Sequence, residues 1–93
     1  MALHVEIHPR PPQGFAYVIV PTGKLDTDTH SVLEEKVSPY LDGAAQVLVL
    51  DMTNVDYVSS AGLRAIFKIW KNVSENKGSF KISNLQPQVE KVF

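Results

Sequence analysis

Strand-like hydrophobic patterns occur in several segments of the chain. Leu3, Val5 and Ile7 alternate with polar residues, which is the pattern of a strand with one apolar face. Residues 15–20 (FAYVIV) and 46–52 (QVLVLDM) are instead nearly continuous apolar runs, which indicate strands buried on both faces. The sequence therefore predicts three strands, with the first two forming a hairpin around the break at residues 9–14 (PRPPQG).

Turn-forming residues are predicted to end these strands and to separate a fourth strand from the preceding helix. Pro21 and Gly23 are predicted to close the second strand, and Gly78 precedes a further strand within residues 79–85 (SFKISNL). Residues 46–52 are predicted to form a central strand whose end delivers the chain to Ser59 and Ser60.

Helical spacing follows the second strand. Asp26, Thr27, Asp28 and Thr29 suit a helix N-terminus, and Leu33, Val37, Tyr40 and Leu41 continue the pattern to an end near Asp42 and Gly43.

A stronger amphipathic helix carries Leu63, Ile66, Phe67, Trp70 and Val73 on one stripe and ends by Gly78. Because the stripe runs the length of the helix, Phe67 and Trp70 are predicted to be core residues. Pro87 suits the first turn of a last helix, with Val89, Val92 and Phe93 on one side.

The order β-β-α-β-α-β-α predicts one α/β domain. Helical crossovers join strands that are then largely parallel and sheltered by helices. Ninety-three residues suffice for one modest core. We expect a mixed sheet of four to five strands with the helices mainly on one face.

Composition removes several classes of function. With a formal net charge of −1, we expect no basic surface that would bind nucleic acid or an anionic membrane. The absence of cysteine excludes a disulfide framework and zinc–thiolate sites. We find no apolar signal core or membrane-spanning run, so we expect a cytoplasmic protein.

The junction Ser59-Ser60-Ala61-Gly62-Leu63, between a buried strand and the amphipathic helix, is the candidate site. Ser60 suits a helix N-cap, a nucleophile or a phosphoacceptor. Capping is the commonest role of a serine in this position.

A hydrolase would require a glycine two residues before the serine, where Val58 stands, and a partner base. His4, His8 and His30 stand in no recognisable catalytic context. His4 and His8 share a strand face but lack a third ligand, so we predict neither a metal nor a cofactor. A phosphoserine fits the junction, because a helix N-terminus offers unpaired N–H donors and a positive dipole end.

Three stretches carry a family resemblance: the junction VLDMTNVDYVSSAGLRAIF, GKLDTDT before it and GSFKISNLQPQVEKVF after it. Together they resemble a STAS domain of the bacterial anti-sigma factor antagonist type. The likeness spans nearly the whole chain from Phe15. In that family the phosphorylated hydroxyl lies two residues before the glycine of the Gly-Leu pair, which places it on Ser60. The family often has aspartate where this chain has Ser59, so Ser59 is a lesser alternative acceptor. The family's Gly-x-Leu-Asp stretch matches residues 23–26 and places Asp26 close to Ser60.

The resemblance implies a switch rather than an enzyme. The unphosphorylated protein would bind an anti-sigma factor that is also a serine kinase and so release a sigma factor. The kinase would phosphorylate Ser60, and a serine phosphatase would reverse this. The expected partner-binding residues are Asp26, Ser59, Ser60, Ala61, Gly62 and Arg64. The alternative is a regulatory or scaffolding STAS module of a transporter, lipid-transport or stress-signalling complex.

The resemblance also bears on the end of the sequence. The STAS domain occupies residues 1–93, and we expect its C-terminal helix to be incomplete. A sheet face left partly uncovered would favour self-association through the C-terminus or exchange of the terminal segment.

Overall fold

The computed structural model of the chain describes residues 3–9, 16–41 and 47–91. Its elements are β1 His4–Pro9, β2 Ala16–Leu25, α1 His30–Val37, β3 Val47–Asp51, β4 Val55–Val58, α2 Ser60–Glu75, β5 Ser79–Ser83 and α3 Pro87–Glu90. A 3₁₀ turn, Ser38–Tyr40, follows α1 directly. The predicted α/β class is confirmed.

The five strands form one mixed sheet in the order β1-β2-β3-β5, with β4 beside the end of β2. β1 and β2 are antiparallel, with His4 opposite Thr22 and Pro9 opposite Tyr17, so the predicted pairing of the first two strands is confirmed. The other three pairings are parallel. Parallel neighbours require crossovers, and α1 and α2 provide them.

The predicted end of β2 at Pro21 and Gly23 is wrong, because the strand continues to Leu25. Pro21 is buried opposite Val5. Gly23 has φ 122°, and the pairing register shifts between Gly23 and Lys24. A glycine tolerates this positive φ without steric cost. The irregularity lies within the pairing of β2 with β4, which begins at Gly23 after the pairing with β3 has ended at Ile19.

The sequence pattern did not reveal β4. Only Val55 and Val58 are buried in this four-residue strand, while Asp56 and Tyr57 are exposed. That pattern matches neither the two-residue period of a half-buried strand nor a continuous apolar run. Its pairing with Lys24 and Leu25 of β2 defines the strand. The chain therefore reaches the serines from β4 and not directly from β3.

The core lies between the sheet and the two long helices, which also pack against each other. Its buried members include Ile19, Leu25, Leu48 and Leu50 from the strands, Leu33 and Val37 from α1, and Ile66, Ile69 and Val73 from α2. The apolar positions predicted for α1 are confirmed at Leu33 and Val37. The prediction that this helix continues to about Asp42 is wrong, because α1 ends at Val37 and the chain goes on as the 3₁₀ turn Ser38–Tyr40. Pro39 lacks the backbone N–H that a continued α-helix would need. Asp42 and Gly43 themselves lie outside the described residues.

The assignment of Phe67 and Trp70 to the core is wrong. Their exposed fractions are 53% and 52%. Both lie on the flank of α2 that faces β5, where they line an open groove with Ile66, Phe80 and Ile82. The apolar stripe of α2 is wider than the area that the sheet covers, so its outer members remain in contact with solvent.

The segment after β5 is held against the β3–β4 turn. Asn84 Nδ2 donates to Asp51 Oδ1 at 3.1 Å, and Gln86 Nε2 donates to the Thr53 carbonyl at 2.7 Å. Pro87 opens α3 as predicted, and Val89 is buried. Val92 and Phe93 lie outside the described residues.

Candidate functional site

The candidate site forms where β4 ends beside the end of β2. Leu25 and Val58 are register partners, and the Ser59 amide donates to the Leu25 carbonyl at 2.9 Å. Ser59 keeps an extended backbone (φ −86°, ψ 175°), and α2 begins at Ser60. The two serines therefore have different backbone environments although they are adjacent in sequence.

Ser59, and not Ser60, is the N-cap of α2. Its Oγ accepts a hydrogen bond from the Gly62 amide at 3.2 Å, and its carbonyl accepts from the Leu63 amide at 2.8 Å. The capping role considered for Ser60 is thus wrong. An N-cap is the last non-helical residue and bonds the amide two or three positions later. The sequence alone did not decide which serine is the last non-helical one.

Ser60 occupies the first position of α2 and is exposed. Among the described residues, its hydroxyl has no hydrogen-bond partner. Arg64, one helical turn later, is also exposed, which suits an interaction with a group on Ser60. The site thus offers one uncommitted hydroxyl at the positive end of a 16-residue helix, with the exposed Arg64 one turn later.

Gly62 allows α2 to lie directly against β2. A Cβ at this position would be 2.5 Å from the Leu25 carbonyl oxygen and 2.9 Å from Leu25 Cγ. Real Cβ atoms essentially never approach other atoms this closely. Glycine at position 62 is therefore what permits the close approach of α2 to β2.

Asp26 follows Leu25 and organises the β2–α1 loop. Its Oδ1 accepts from the amides of Asp28 and Thr29 at 3.0 and 3.1 Å. The Thr29 hydroxyl donates to the Lys24 carbonyl at 2.7 Å. Because Leu25 contacts both Ser59 and Gly62, the structure brings the Asp26 segment and the serine junction to the same end of the sheet.

A charged cluster that sequence analysis did not identify bridges α1 and α2. Glu34 Oε2 lies 2.8 Å from His30 Nδ1, and its Oε1 lies 3.1 Å from Lys68 Nζ. Partial burial raises the pKa of Glu34, but hydrogen bonds and charge interactions with His30 and Lys68 outweigh it, so the pKa lies below its ordinary value. The i,i+4 spacing of His30 and Glu34 was the available signal.

Each of the three histidines is paired with a carboxylate. His4 and His8 flank Glu6 on the exposed side of β1, with Nε2 atoms 3.4 and 3.1 Å from its carboxylate. His30 is paired with Glu34. Within residues 3–9, 16–41 and 47–91, no group of three or more potential ligands has a geometry that could hold a metal ion.

Comparison with known families identifies this architecture. The STAS domain profile matches residues 3–93. The chain belongs to the STAS domain family. Over 71 residues this STAS domain is 31% identical to BtrV of Bordetella bronchiseptica, whose name assigns it provisionally to the anti-sigma factor antagonists. The match covers 76% of the chain and 61% of BtrV, so the chain spans about three fifths of that relative's length.

Solved structures confirm the fold. The unphosphorylated anti-sigma factor antagonist SpoIIAA superposes with a TM-score of 0.78 at 19% identity, covering 97% of this chain and 81% of SpoIIAA. Its phosphorylated form, described as a Bacillus cell fate determinant, gives 0.73 at 18% identity, covering 97% and 80%. The murine anion transporter Slc26a9 gives 0.75 at 21% identity, covering 84% of this chain and 13% of the transporter. None of the helices in the described ranges of this STAS domain is long and apolar enough to cross a membrane.

Proposed function

We propose that this STAS domain is an anti-sigma factor antagonist regulated at Ser60. Unmodified, it binds an anti-sigma factor that is also a serine kinase, and a sigma factor is released. Phosphorylation of Ser60 ends this binding, and a serine phosphatase restores it. The domain acts by association and not as an enzyme, and it works in the cytoplasm.

The two serines differ in their hydrogen bonding, and this difference is the main support for the proposal. Ser59 Oγ caps α2 through the Gly62 amide, whereas the Ser60 hydroxyl is exposed and has no partner among the described residues. Modification of Ser60 therefore removes no hydrogen bond that holds the helix. Modification of Ser59 would displace the cap, which supports Ser60 as the acceptor.

The fold is expected to tolerate a phosphate on Ser60. The kinase transfers the γ-phosphoryl group of ATP to Ser60 Oγ; ADP leaves, and the hydroxyl proton passes to a base of the kinase. The product adds a charge of about −1.5 to −2 at pH 7. The N-terminal dipole of α2 and the nearby Arg64 side chain both favour that charge.

The same charge would disrupt a complex formed through this end of the sheet. The proposed contact surface comprises Asp26, Ser59, Ser60, Ala61, Gly62 and Arg64. A phosphate buried there must lose its hydration, and burial would strengthen its repulsion by the like charge of Asp26, which lies at the same end of the sheet. A penalty of about 3 kcal/mol would weaken binding by about two orders of magnitude.

The test uses an anti-sigma factor serine kinase of the same organism, sought first among the genes beside this one. Wild type, Ser60→Ala and Ser59→Ala are incubated with kinase and ATP, and the site is mapped by mass spectrometry. We expect phosphate on Ser60 in wild type and in Ser59→Ala, and none in Ser60→Ala. In binding titrations Ser60→Ala should remain bound in the presence of ATP, and Ser60→Asp should bind at least about tenfold more weakly. Full-strength binding by Ser60→Asp, with its fold intact, would refute the switch.

A regulatory or scaffolding STAS module is the second candidate. The likeness to part of the murine transporter Slc26a9 shows that this fold also occurs within a much longer membrane protein. Such a module would bind its partner irrespective of the modification of Ser60. The same titration separates the two functions, because only the antagonist loses affinity on phosphorylation.

A further inference from the structure

A small charged pocket lies between α1 and α2. Two residues of α1 and four of α2 line it: His30, Glu34, Ala61, Arg64, Ala65 and Lys68. Its volume is about 150 Å³. Sites for small-molecule ligands and cofactors measure about 300–1,000 Å³. The size of this pocket therefore suits a single side chain rather than a cofactor.

The charges that line the pocket do not cancel. Glu34 is the one acidic residue of the lining, and both of its carboxylate oxygens are engaged, Oε2 with His30 and Oε1 with Lys68. Arg64 forms no hydrogen bond or ion pair within the described residues. With His30 neutral, one carboxylate faces two cations. One positive charge, that of Arg64, is left without a counterion in the described parts of the chain.

The spacing along α2 concentrates positive charge on its exposed side. Arg64 and Lys68 are one helical turn apart, and like charges at i and i+4 repel each other. Glu34 offsets only Lys68. The exposed residues of α2 also include Lys71 and no acidic residue before Glu75, although the whole chain has a net charge of −1. An anion beside Arg64 would relieve the remaining repulsion, so this side of the domain complements an acidic partner.

The pocket lies next to the proposed contact surface around Ser60. Ala61 follows Ser60 directly, and both Ala61 and Arg64 belong to the pocket and to that surface. A protein that covers Ser60 would therefore also lie beside the pocket. Ala61 and Ala65 carry only a methyl group each, which leaves room for a side chain that enters from outside.

We propose that this pocket receives the carboxylate of an aspartate or glutamate of the anti-sigma factor, bound by Arg64. The inference rests on the proposed function and adds the chemistry of the contact. A guanidinium can bind a carboxylate through two parallel N–H···O bonds, and these donors of Arg64 are not engaged within the described residues. Phosphorylation of Ser60 would place a competing anion one turn from Arg64 and draw its side chain away from the partner.

Two cations of α2 give a matched pair of variants. Arg64→Gln removes a charge that lines the pocket, whereas Lys71→Gln removes an exposed charge outside the lining. Each is titrated with the anti-sigma factor serine kinase. The first should raise the dissociation constant at least about tenfold and the second less than about threefold. The difference should shrink as salt is added. Equal effects of the two substitutions would overturn the proposal.

A conservative variant tests the geometry of the contact. Lysine keeps the charge at position 64 but cannot form two parallel bonds to a carboxylate. Arg64→Lys should therefore bind more tightly than Arg64→Gln and more weakly than wild type. Binding by Arg64→Lys no better than by Arg64→Gln would contradict a contact based on charge.

Glu34 provides a test of opposite sign. Glu34→Gln removes the acid of the pocket and frees Lys68, so the pocket gains positive charge and binding should tighten several-fold. Glu35→Gln, an exposed change on the same helix outside the lining, should leave the dissociation constant within about twofold of wild type. Weaker binding by Glu34→Gln would show that the pocket does not receive an anion.

Double-mutant cycles identify the carboxylate of the partner. Exposed aspartates and glutamates of the kinase are changed singly to asparagine and glutamine, and each variant is titrated with wild type, Arg64→Gln and Lys71→Gln. We expect one acid whose loss has little further effect once Arg64 is absent, with a coupling of at least about fivefold. If no acid couples more strongly to Arg64 than to Lys71, the occupant is not a carboxylate and the proposal is wrong.

A measurement without the partner tests the competition by phosphate. Phosphoserine is incorporated at position 60 during translation, and its second pKa, ordinarily about 6, is followed by phosphorus NMR. Contact with the Arg64 guanidinium should lower this pKa. Arg64→Gln should therefore raise the pKa towards its ordinary value, and Lys71→Gln should leave it unchanged. The same pKa in wild type and Arg64→Gln would exclude the competition.

Failure of this inference differs from failure of the proposed function. If wild type did not bind the kinase, or if Ser60→Asp bound it at full strength, the proposed function would be wrong. If the Ser60 variants behaved as expected while Arg64→Gln bound like wild type, only the assignment of the pocket would be wrong.

Discussion

The two flanks of α2 differ in how completely the fold covers them. On the α1 flank, α2 packs against a second helix, and Glu34 joins His30 and Lys68 across the boundary. On the β5 flank, Phe67 and Trp70 remain about half exposed. The same amphipathic helix thus has one flank packed against a helix and one flank whose aromatic residues stay in contact with solvent. An apolar residue on α2 should stabilise the monomer only where another element covers it.

Two neighbouring residues should show the largest difference. Ile66 is fully buried, and Phe67 is 53% exposed. Ile66→Ala should lower the free energy of unfolding by about 2–5 kcal/mol, since it removes buried methylene groups and leaves a cavity. Phe67→Ala should cost about 1 kcal/mol, because much of its ring stays in water. Urea denaturation at a concentration where the protein is monomeric measures both, and equal losses would contradict the open flank.

The close contact of α2 with β2 can be broken at Gly62. Valine at this position must displace the Leu25 backbone, so Gly62→Val should lower the free energy of unfolding by about 3 kcal/mol. Arg64→Ala, an exposed change two positions later, should stay within about 0.5 kcal/mol of wild type. Thermal and urea unfolding provide the comparison. We also expect Gly62→Val to impair phosphorylation and partner binding more than Arg64→Ala does, and equal effects would count against close packing as the requirement.

The two serines should separate in stability as well as in phosphorylation. Ser59→Ala removes the N-cap bond to the Gly62 amide and should cost about 1 kcal/mol. Ser60→Ala removes no hydrogen bond among the described residues and should change stability by less than about 0.5 kcal/mol. Chemical denaturation of the two variants side by side decides this. If Ser60→Ala lowered the free energy of unfolding as much as Ser59→Ala, Ser60 would have to be regarded as the cap of α2.

The smallest effect is expected from the charged cluster on the α1 flank of α2. The pKa of Glu34 is lowered in the fold, so its stabilisation is fully present above the ordinary value of 4.5 and is lost as the pH falls through the lower folded value. Lys68 is largely exposed, and solvent screening limits the contribution to less than about 1 kcal/mol. Glu34→Gln should therefore be less stable than wild type near neutral pH, and the difference should shrink below about pH 4.5. Unfolding at several pH values, with the exposed Glu35→Gln as control, tests this, and a difference that grows on acidification would contradict it.

The positions of the elements were accessible from sequence because each depends on local pattern. Alternation identified β1, continuous apolar runs identified β2 and β3, and helical spacing identified α1 and α2. The resemblance to the STAS family directed attention to Ser60 and its neighbours. Charge pairing across α1 and α2 was less accessible, since Glu34 and Lys68 are distant in sequence and meet only when the helices pack.

The sequence by itself determined the α/β class, the largely parallel strands, the strand–serine–helix junction and the buried faces of α1 and α2. Only the tertiary structure decided that β2 continues past Pro21, that β4 exists, that Ser59 is the N-cap, and that Phe67 and Trp70 are exposed. Periodicity shows which residues share a face of an element. It does not show how far a neighbouring element covers that face, which depends on contacts between segments distant in the chain.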